Sequence, residues 1–109
     1  MRKTLYKDLR MSLVGDDYGP VTEFFGALAS PVRAAVIHLL TERPHTVSEI
    51  GAALGASQPL VSQHLRVLRE TGLVTTERSG RSTVYSLADD HVAHVFLDAL
   101  VHTQENTDD

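Results

Sequence analysis

Apolar positions along the chain recur at helical spacing in five stretches and alternate in two. Val32, Ala35, Val36, Leu39 and Leu40 mark one helix face. Ser30 opens that helix as N-cap, Pro31 suits its first turn, and Pro44 closes it. Ahead of it, Phe24, Phe25 and Leu28 predict a shorter helix over 21–29, preceded by the turn-forming run Gly15-Asp16-Asp17-Tyr18-Gly19-Pro20. Thr46-Val47-Ser48-Glu49 is a capping box that opens a helix with Ile50, Ala53 and Leu54 inward, ending at Gly55. Only a short turn later Ser57 caps a third helix, with Pro59 in its first turn. Leu60, Val61, His64, Leu65 and Leu68 form its apolar side, and Gly72 ends it. Leu73–Glu77 and Ser82–Leu87 are rich in Val, Thr and Tyr, and Arg78-Ser79-Gly80-Arg81 between them predicts a β-hairpin. Asp89 or Asp90 caps a last helix from His91 to Gln104.

These elements predict one mainly α domain with a β-hairpin over residues 21–105. Residues 1–20 are expected to form a partly flexible arm and 106–109 a flexible tail. Met11 is an alternative start. Hydrophobic residues make up 42% and charged residues 22%, a balance that folds around a core rather than staying disordered. The absence of cysteine excludes disulfide frameworks, thiolate metal sites and Cys nucleophiles. No apolar run approaches the ~18 residues of a membrane span, and no apolar stretch of a secretory leader follows the basic Arg2, Lys3, Lys7 and Arg10. A cytoplasmic location is expected, with no membrane partner. A Gly-rich phosphate loop, Gly-x-Ser-x-Gly and His-Glu-x-x-His are all missing, which argues against an enzyme.

The net charge of −4 argues weakly against a nucleic-acid partner, but its distribution says more. Residues 57–83 carry four Arg and two Glu, whereas 84–109 carry six acids, three His and no Lys or Arg. The locally basic segment coincides with the second of two closely joined helices and with the hairpin after it, and the order helix, short turn, helix, hairpin is the pattern of a winged helix-turn-helix. The second helix of such a pair enters the DNA major groove. At 100° per residue, Gln58, Ser62, Gln63, Arg66 and Arg69 lie away from the apolar side of helix 57–71. Gln suits adenine, Arg suits guanine or phosphate, and Ser suits either. Ser57, Gln58, Ser62, Gln63 and Arg66 are therefore the candidate contacts to double-stranded operator DNA, with Arg78 and Arg81 reaching phosphate or the minor groove from the hairpin tip.

Ala27-Leu28-Ala29-Ser30-Pro31-Val32-Arg33, Val47-Ser48-Glu49-Ile50 and the run from Ser57 to Leu68 carry a family resemblance, continued by Gly72-Leu73-Val74 and Gly80-Arg81-Ser82-Thr83-Val84-Tyr85. Over residues 21–105 the chain resembles the ArsR/SmtB family of bacterial winged-helix repressors. The resemblance implies a homodimer paired through the first and last helices. Many members sense metals, others different signals or none, so the family alone leaves the ligand open.

On the last helix His91, His94, Asp98, His102 and Glu105 lie on one stripe at 100° per residue. Taken alone, such a stripe also suits a solvated helix face. As a metal site, His102 and Glu105 are i, i+3 neighbours, and Asp89 and His91 flank the helix start. The two pairs stand about 16 Å apart along the axis, while zinc–ligand bonds are only about 2.0–2.2 Å. One chain therefore cannot close a four-ligand site, but an antiparallel partner helix can. The spacing resembles that of the family's zinc sensors, which implies Asp89, His91, His102 and Glu105 as ligands, two from each subunit. Two imidazoles and two carboxylates suit Zn2+, with Co2+ or Ni2+ as alternatives for which His94 is a spare donor. The resemblance also implies a repressor whose apo homodimer binds operator DNA and releases it on binding zinc. Of the remaining histidines, His38 is expected in the core or an interface, His45 exposed in a loop, and His64 packed on the inward side of its helix.

Overall fold

The computed structural model describes residues 17–107, so the expected arm up to residue 16 and the last two residues of the expected tail lie outside the described residues. Among the described residues, five helices and three short strands follow in the order α1 (Gly19–Leu28), α2 (Pro31–Glu42), β1 (His45–Thr46), α3 (Val47–Leu54), α4 (Gln58–Glu70), β2 (Val74–Ser79), β3 (Ser82–Leu87) and α5 (Asp90–Thr107). The architecture is a winged helix-turn-helix. No single helix among the described residues is long and apolar enough to cross a membrane.

Local chemistry sets the helix ends. Ser30 Oγ accepts from Arg33 N at 3.2 Å to start α2. Thr46 and Glu49 complete a reciprocal capping box: Glu49 N donates to Thr46 Oγ1 at 3.2 Å and Thr46 N to Glu49 Oε1 at 2.9 Å. Gly55 (φ 64°) and Gly72 (φ 82°) take the left-handed backbone that ends α3 and follows α4. The last helix continues to Thr107, beyond its expected end at Gln104.

The core lies where α2, α3 and α4 meet the sheet. Val36 and Ile37, Ile50, Val61, Leu65 and Leu68 are fully buried, closed by Leu73, Val74 and Val92. Two expectations within the helices are corrected. Ala53 is exposed, and the buried partner of Ile50 on α3 is Gly51. A Cβ at Gly51 would come within 3.0 Å of Ala56 O, so the tight turn between α3 and α4 occupies that space. Leu60 is 40% exposed, because the buried face of α4 centres on Val61, Leu65 and Leu68 and leaves Leu60 on its flank.

The hairpin runs longer than expected. β2 and β3 pair from Val74↔Leu87 to Ser79↔Ser82, leaving Gly80 and Arg81 as a two-residue turn with Gly80 at φ 62°. A third strand was not expected from the sequence. His45 and Thr46 pair antiparallel with Tyr85 and Val84, giving the order β1-β3-β2. His45 is consequently only 5% exposed, which corrects the loop reading. Its Nδ1–H donates to Arg43 O at 2.8 Å.

Candidate nucleic-acid interface and metal-ligand pairs

Helix α4 turns a sharply divided surface outward. Val61, Leu65 and Leu68 are buried, while Gln58, Ser62, Gln63, Arg66 and Arg69 are exposed. The candidate DNA contacts differ in how they are held. Ser57 Oγ accepts from Leu60 N at 3.3 Å as the N-cap, so that oxygen already serves the helix. Gln58 Nε2 donates to Ser48 Oγ at 3.0 Å, tying the start of α4 to the start of α3. Ser48 was not singled out from the sequence, since its role depends on the α3–α4 approach. Arg66 Nε lies 3.4 Å from Glu70 Oε2 with both side chains well exposed, a pair of the kind worth about 0–1 kcal/mol and easily exchanged for a phosphate or base. Ser62 and Gln63 project from the same exposed face.

The wing carries two further cations, Arg78 and Arg81. Arg78 donates to Thr83 Oγ1 and Gly80 O, each at 3.5 Å, and is thereby steadied across the turn. Arg81 borders a shallow cleft with Thr46, Ser48, Ser82 and Thr83, next to the amino end of α3. Nearby, the backbone N–H of Thr46 holds the Glu49 carboxyl below its ordinary range, with Arg43 at 3.6 Å adding to the effect.

The candidate metal ligands form two pairs at opposite ends of α5. Asp89 Oδ1 accepts from His91 N at 2.9 Å and Val92 N at 3.2 Å, so Asp89 rather than Asp90 is the helix cap. The same oxygen lies 3.6 Å from His91 Nδ1, and the His91 side chain is 93% exposed. His102 and Glu105 are exposed near the other end. Among the described residues, no three His, Cys, Asp or Glu side chains gather closely enough to hold a metal. The chain alone thus brings Asp89 to His91 but does not bring that pair to His102 and Glu105. His94 and Asp98 are exposed between the pairs. His38 is exposed in the single chain, its ring 5.6 Å from that of Phe96. His64 is half-buried, as expected of a packed residue, and its Nδ1 lies 3.4 Å from Arg33 Nη1.

Some large apolar side chains are left exposed: Tyr18, Val21 and Phe25 at or on α1, and Val95 and Val101 on α5. They lie on or beside the two helices through which the resemblance implies pairing.

Residues 30–76 match the family described as bacterial regulatory protein, arsR family. The chain is 51% identical over 84 residues to the HTH-type transcriptional repressor SmtB of Mycobacterium tuberculosis, covering 77% of this chain and 62% of that protein. It is 38% identical over 91 residues to a transcriptional repressor SmtB homolog of Synechocystis, covering 84% and 69% respectively. The chain thus spans less than two thirds of the mycobacterial repressor's length. Among solved structures, it resembles a homodimeric winged helix-turn-helix DNA-binding domain from Mycobacterium bovis, with a TM-score of 0.79 and 28% identity over 92% of this chain and 89% of that one. Its helix order, capping motifs, wing and relatives place the chain in the ArsR/SmtB family of bacterial regulators.

Proposed function

We propose that the protein is a zinc-responsive transcriptional repressor acting as a homodimer. In the apo state α4 enters the major groove, with Ser62, Gln63 and Arg66 toward base edges and Arg78 and Arg81 on the backbone or minor groove. Ser57 and Gln58 contribute from the first turn of the helix, largely by fixing its end. The exposed apolar side chains of α1 and α5 supply the contact between subunits. The observation that carries the metal reading is the split of the ligand pairs between the two ends of an 18-residue helix. A two-fold axis places the start of one such helix beside the end of the other. Asp89 and His91 then meet the partner's His102 and the partner's Glu105, twice per dimer.

The donor set fits zinc. Asp89 and His91 already lie side by side at 3.6 Å, and the His91 ring is open to solvent. Asp89 caps the helix through Oδ1, leaving Oδ2 for an ion. Bound zinc supplies positive charge and a cross-link between subunits; it leaves no open position for catalysis in a four-ligand site. In the apo dimer the acidic groups Asp89, Asp98 and Glu105 of two antiparallel helices face one another. Neutralising and cross-linking them fixes the angle between the winged domains and hence the spacing of the two α4 helices. Only one spacing matches successive major grooves. His94, exposed between the pairs, favours nickel or cobalt as the second reading, since it offers a further imidazole.

Zinc titration with and without operator tests this reading. Reciprocity requires operator DNA to weaken zinc binding by the factor by which zinc weakens operator binding, typically about 5–150-fold. Equal zinc affinities would leave a structural zinc protein. Tighter zinc binding on DNA would make zinc a corepressor.

A further inference from the structure

Arg33, in the first turn of α2, joins two helices that each pack on α2. Its Nε donates to Ala27 O at 2.6 Å and its Nη2 to Gly26 O at 3.4 Å. Both carbonyls lie in the last turn of α1, where the i→i+4 ladder runs out; Gly26 O also accepts from Ala29 N at 3.1 Å. Helix α1 has no basic residue in that turn, so the cation that complements its dipole comes from α2. The third arm of the same guanidinium, Nη1, meets His64 Nδ1 at 3.4 Å. Arginine offers only donors, so Nδ1 is the acceptor and the ring proton sits on Nε2. The three contacts use three different nitrogens of the planar fork, a spread that the single nitrogen of an ammonium group lacks.

We propose that Arg33 is a positioning residue for operator recognition: it ties the carboxyl end of α1 to His64 on α4 and so sets the pose in which the dimer presents α4 to DNA. Helix α4 itself packs on α2, α3 and β2. The link therefore adds a direct tether between the dimerising layer and the DNA-facing helix. This inference rests on the DNA-binding reading of α4 but not on the metal.

The test uses the apo protein. Wild-type protein selects duplexes of roughly three helical turns from a random pool. Affinities for a selected and a scrambled duplex are then read by fluorescence anisotropy. Arg33→Ala and His64→Ala should each weaken the selected duplex roughly tenfold, and the double variant should be no weaker than either single. His64→Asn should retain most of the affinity, since its amide oxygen offers an acceptor near the place of Nδ1. Arg33→Lys should fall with Arg33→Ala. Binding of the scrambled duplex at low salt, governed by phosphate contacts, should not change. Multiplicative losses in the double variant, or equal losses on both duplexes, would overturn the proposal. If Arg33→Ala does not fold, the contrast between His64→Ala and His64→Asn decides alone: equal affinities refute the tether. If wild-type protein enriches no sequence, the operator reading falls and takes the tether with it.

Discussion

Asp89 caps α5 and is also the proposed zinc ligand, and two substitutions take these roles apart. Its Oδ1 accepts the backbone N–H groups of His91 and Val92 at 2.9 and 3.2 Å, which caps α5. Replacing an N-cap by Ala costs about 1 kcal/mol, within a range of roughly 0.5–2. Losing a carboxylate from the amino end of a helix adds about 0.3–1 kcal/mol at low salt; Asp90 stays in the first turn and keeps part of that effect. Asp89→Ala should therefore lower apo stability by about 1–2 kcal/mol. Asp89→Asn retains the side-chain oxygen acceptor but loses the same charge, so it should cost only the charge contribution, about 0.3–1 kcal/mol at low salt, and less than Asp89→Ala. Metal binding does not follow that ranking. The amide is a poor zinc ligand, so both variants should lose tight zinc binding at both dimer sites. Urea unfolding at fixed protein concentration, with chelator present, reads the stability difference free of mass-action effects from metal or dimer concentration. Competition against a fluorescent zinc chelator reads the affinity. Wild-type zinc binding by Asp89→Asn would show that Asp89 is a cap and not a ligand. Equal destabilisation by Asn and Ala would refute the capping argument and leave the carboxylate charge as the main stabilising contribution of Asp89.

A mixed dimer of His91→Ala and His102→Ala chains should keep one zinc site, measured as metal per dimer after dialysis; two intact sites would mean that each chain supplies its own ligands. Arg66→Ala should cost about 1–3 kcal/mol and relax selection at one operator position, while Arg81→Ala should weaken all duplexes alike and flatten the salt dependence. Competition binding across single-base operator variants separates the two, and identical profiles would remove Arg66 from the base-reading face. The Glu49 carboxyl is held below its ordinary range by the Thr46 N–H. Its contribution to stability is thus present above the unfolded-chain value and lost as pH falls through the folded value. The advantage of wild type over Glu49→Gln, which keeps the capping box, should shrink in acid. A carboxyl titration by NMR with a midpoint at or above the unfolded value would contradict the sign.

The features legible in the sequence are those whose chemistry is local. Ser30, Thr46 with Glu49, Ser57 and Asp89 cap helices because a short polar side chain reaches an N–H within its own turn. Gly55 and Gly72 were legible for a similar reason, since glycine readily takes the left-handed backbone with which many helices end. The polar face of α4 follows from periodicity alone. His45 escaped because its burial depends on a two-residue strand finding Tyr85 and Val84 far along the chain, and no pattern within so short a segment reports that. Ala53 and Leu60 were misplaced because periodicity gives the direction of a face but not the depth to which a neighbour covers it.

The candidate site divides along the same line. The order of Asp89, His91, His102 and Glu105 is written in one chain, but the length of α5 keeps the pairs apart, and no packing within the chain folds the helix back on itself. On the proposed reading, the information that completes the site lies in the pairing of two surfaces, the exposed apolar side chains on and beside α1 and α5. A sensor built this way couples metal to subunit geometry without a separate relay, because an ion held by both subunits acts on their relative angle. The Arg33 tether extends that logic by one contact. On the proposed pairing through α1 and α5, it joins the end of α1 to His64 on α4, so a rotation of α1 would be carried to α4 as a displacement. Zinc release and operator selectivity should on this account share a dependence on Arg33. The operator affinity of apo Arg33→Ala should fall toward that of the zinc-bound wild type, and added zinc should then weaken it less than it weakens the wild type. Full zinc-induced weakening in that variant would separate the two devices.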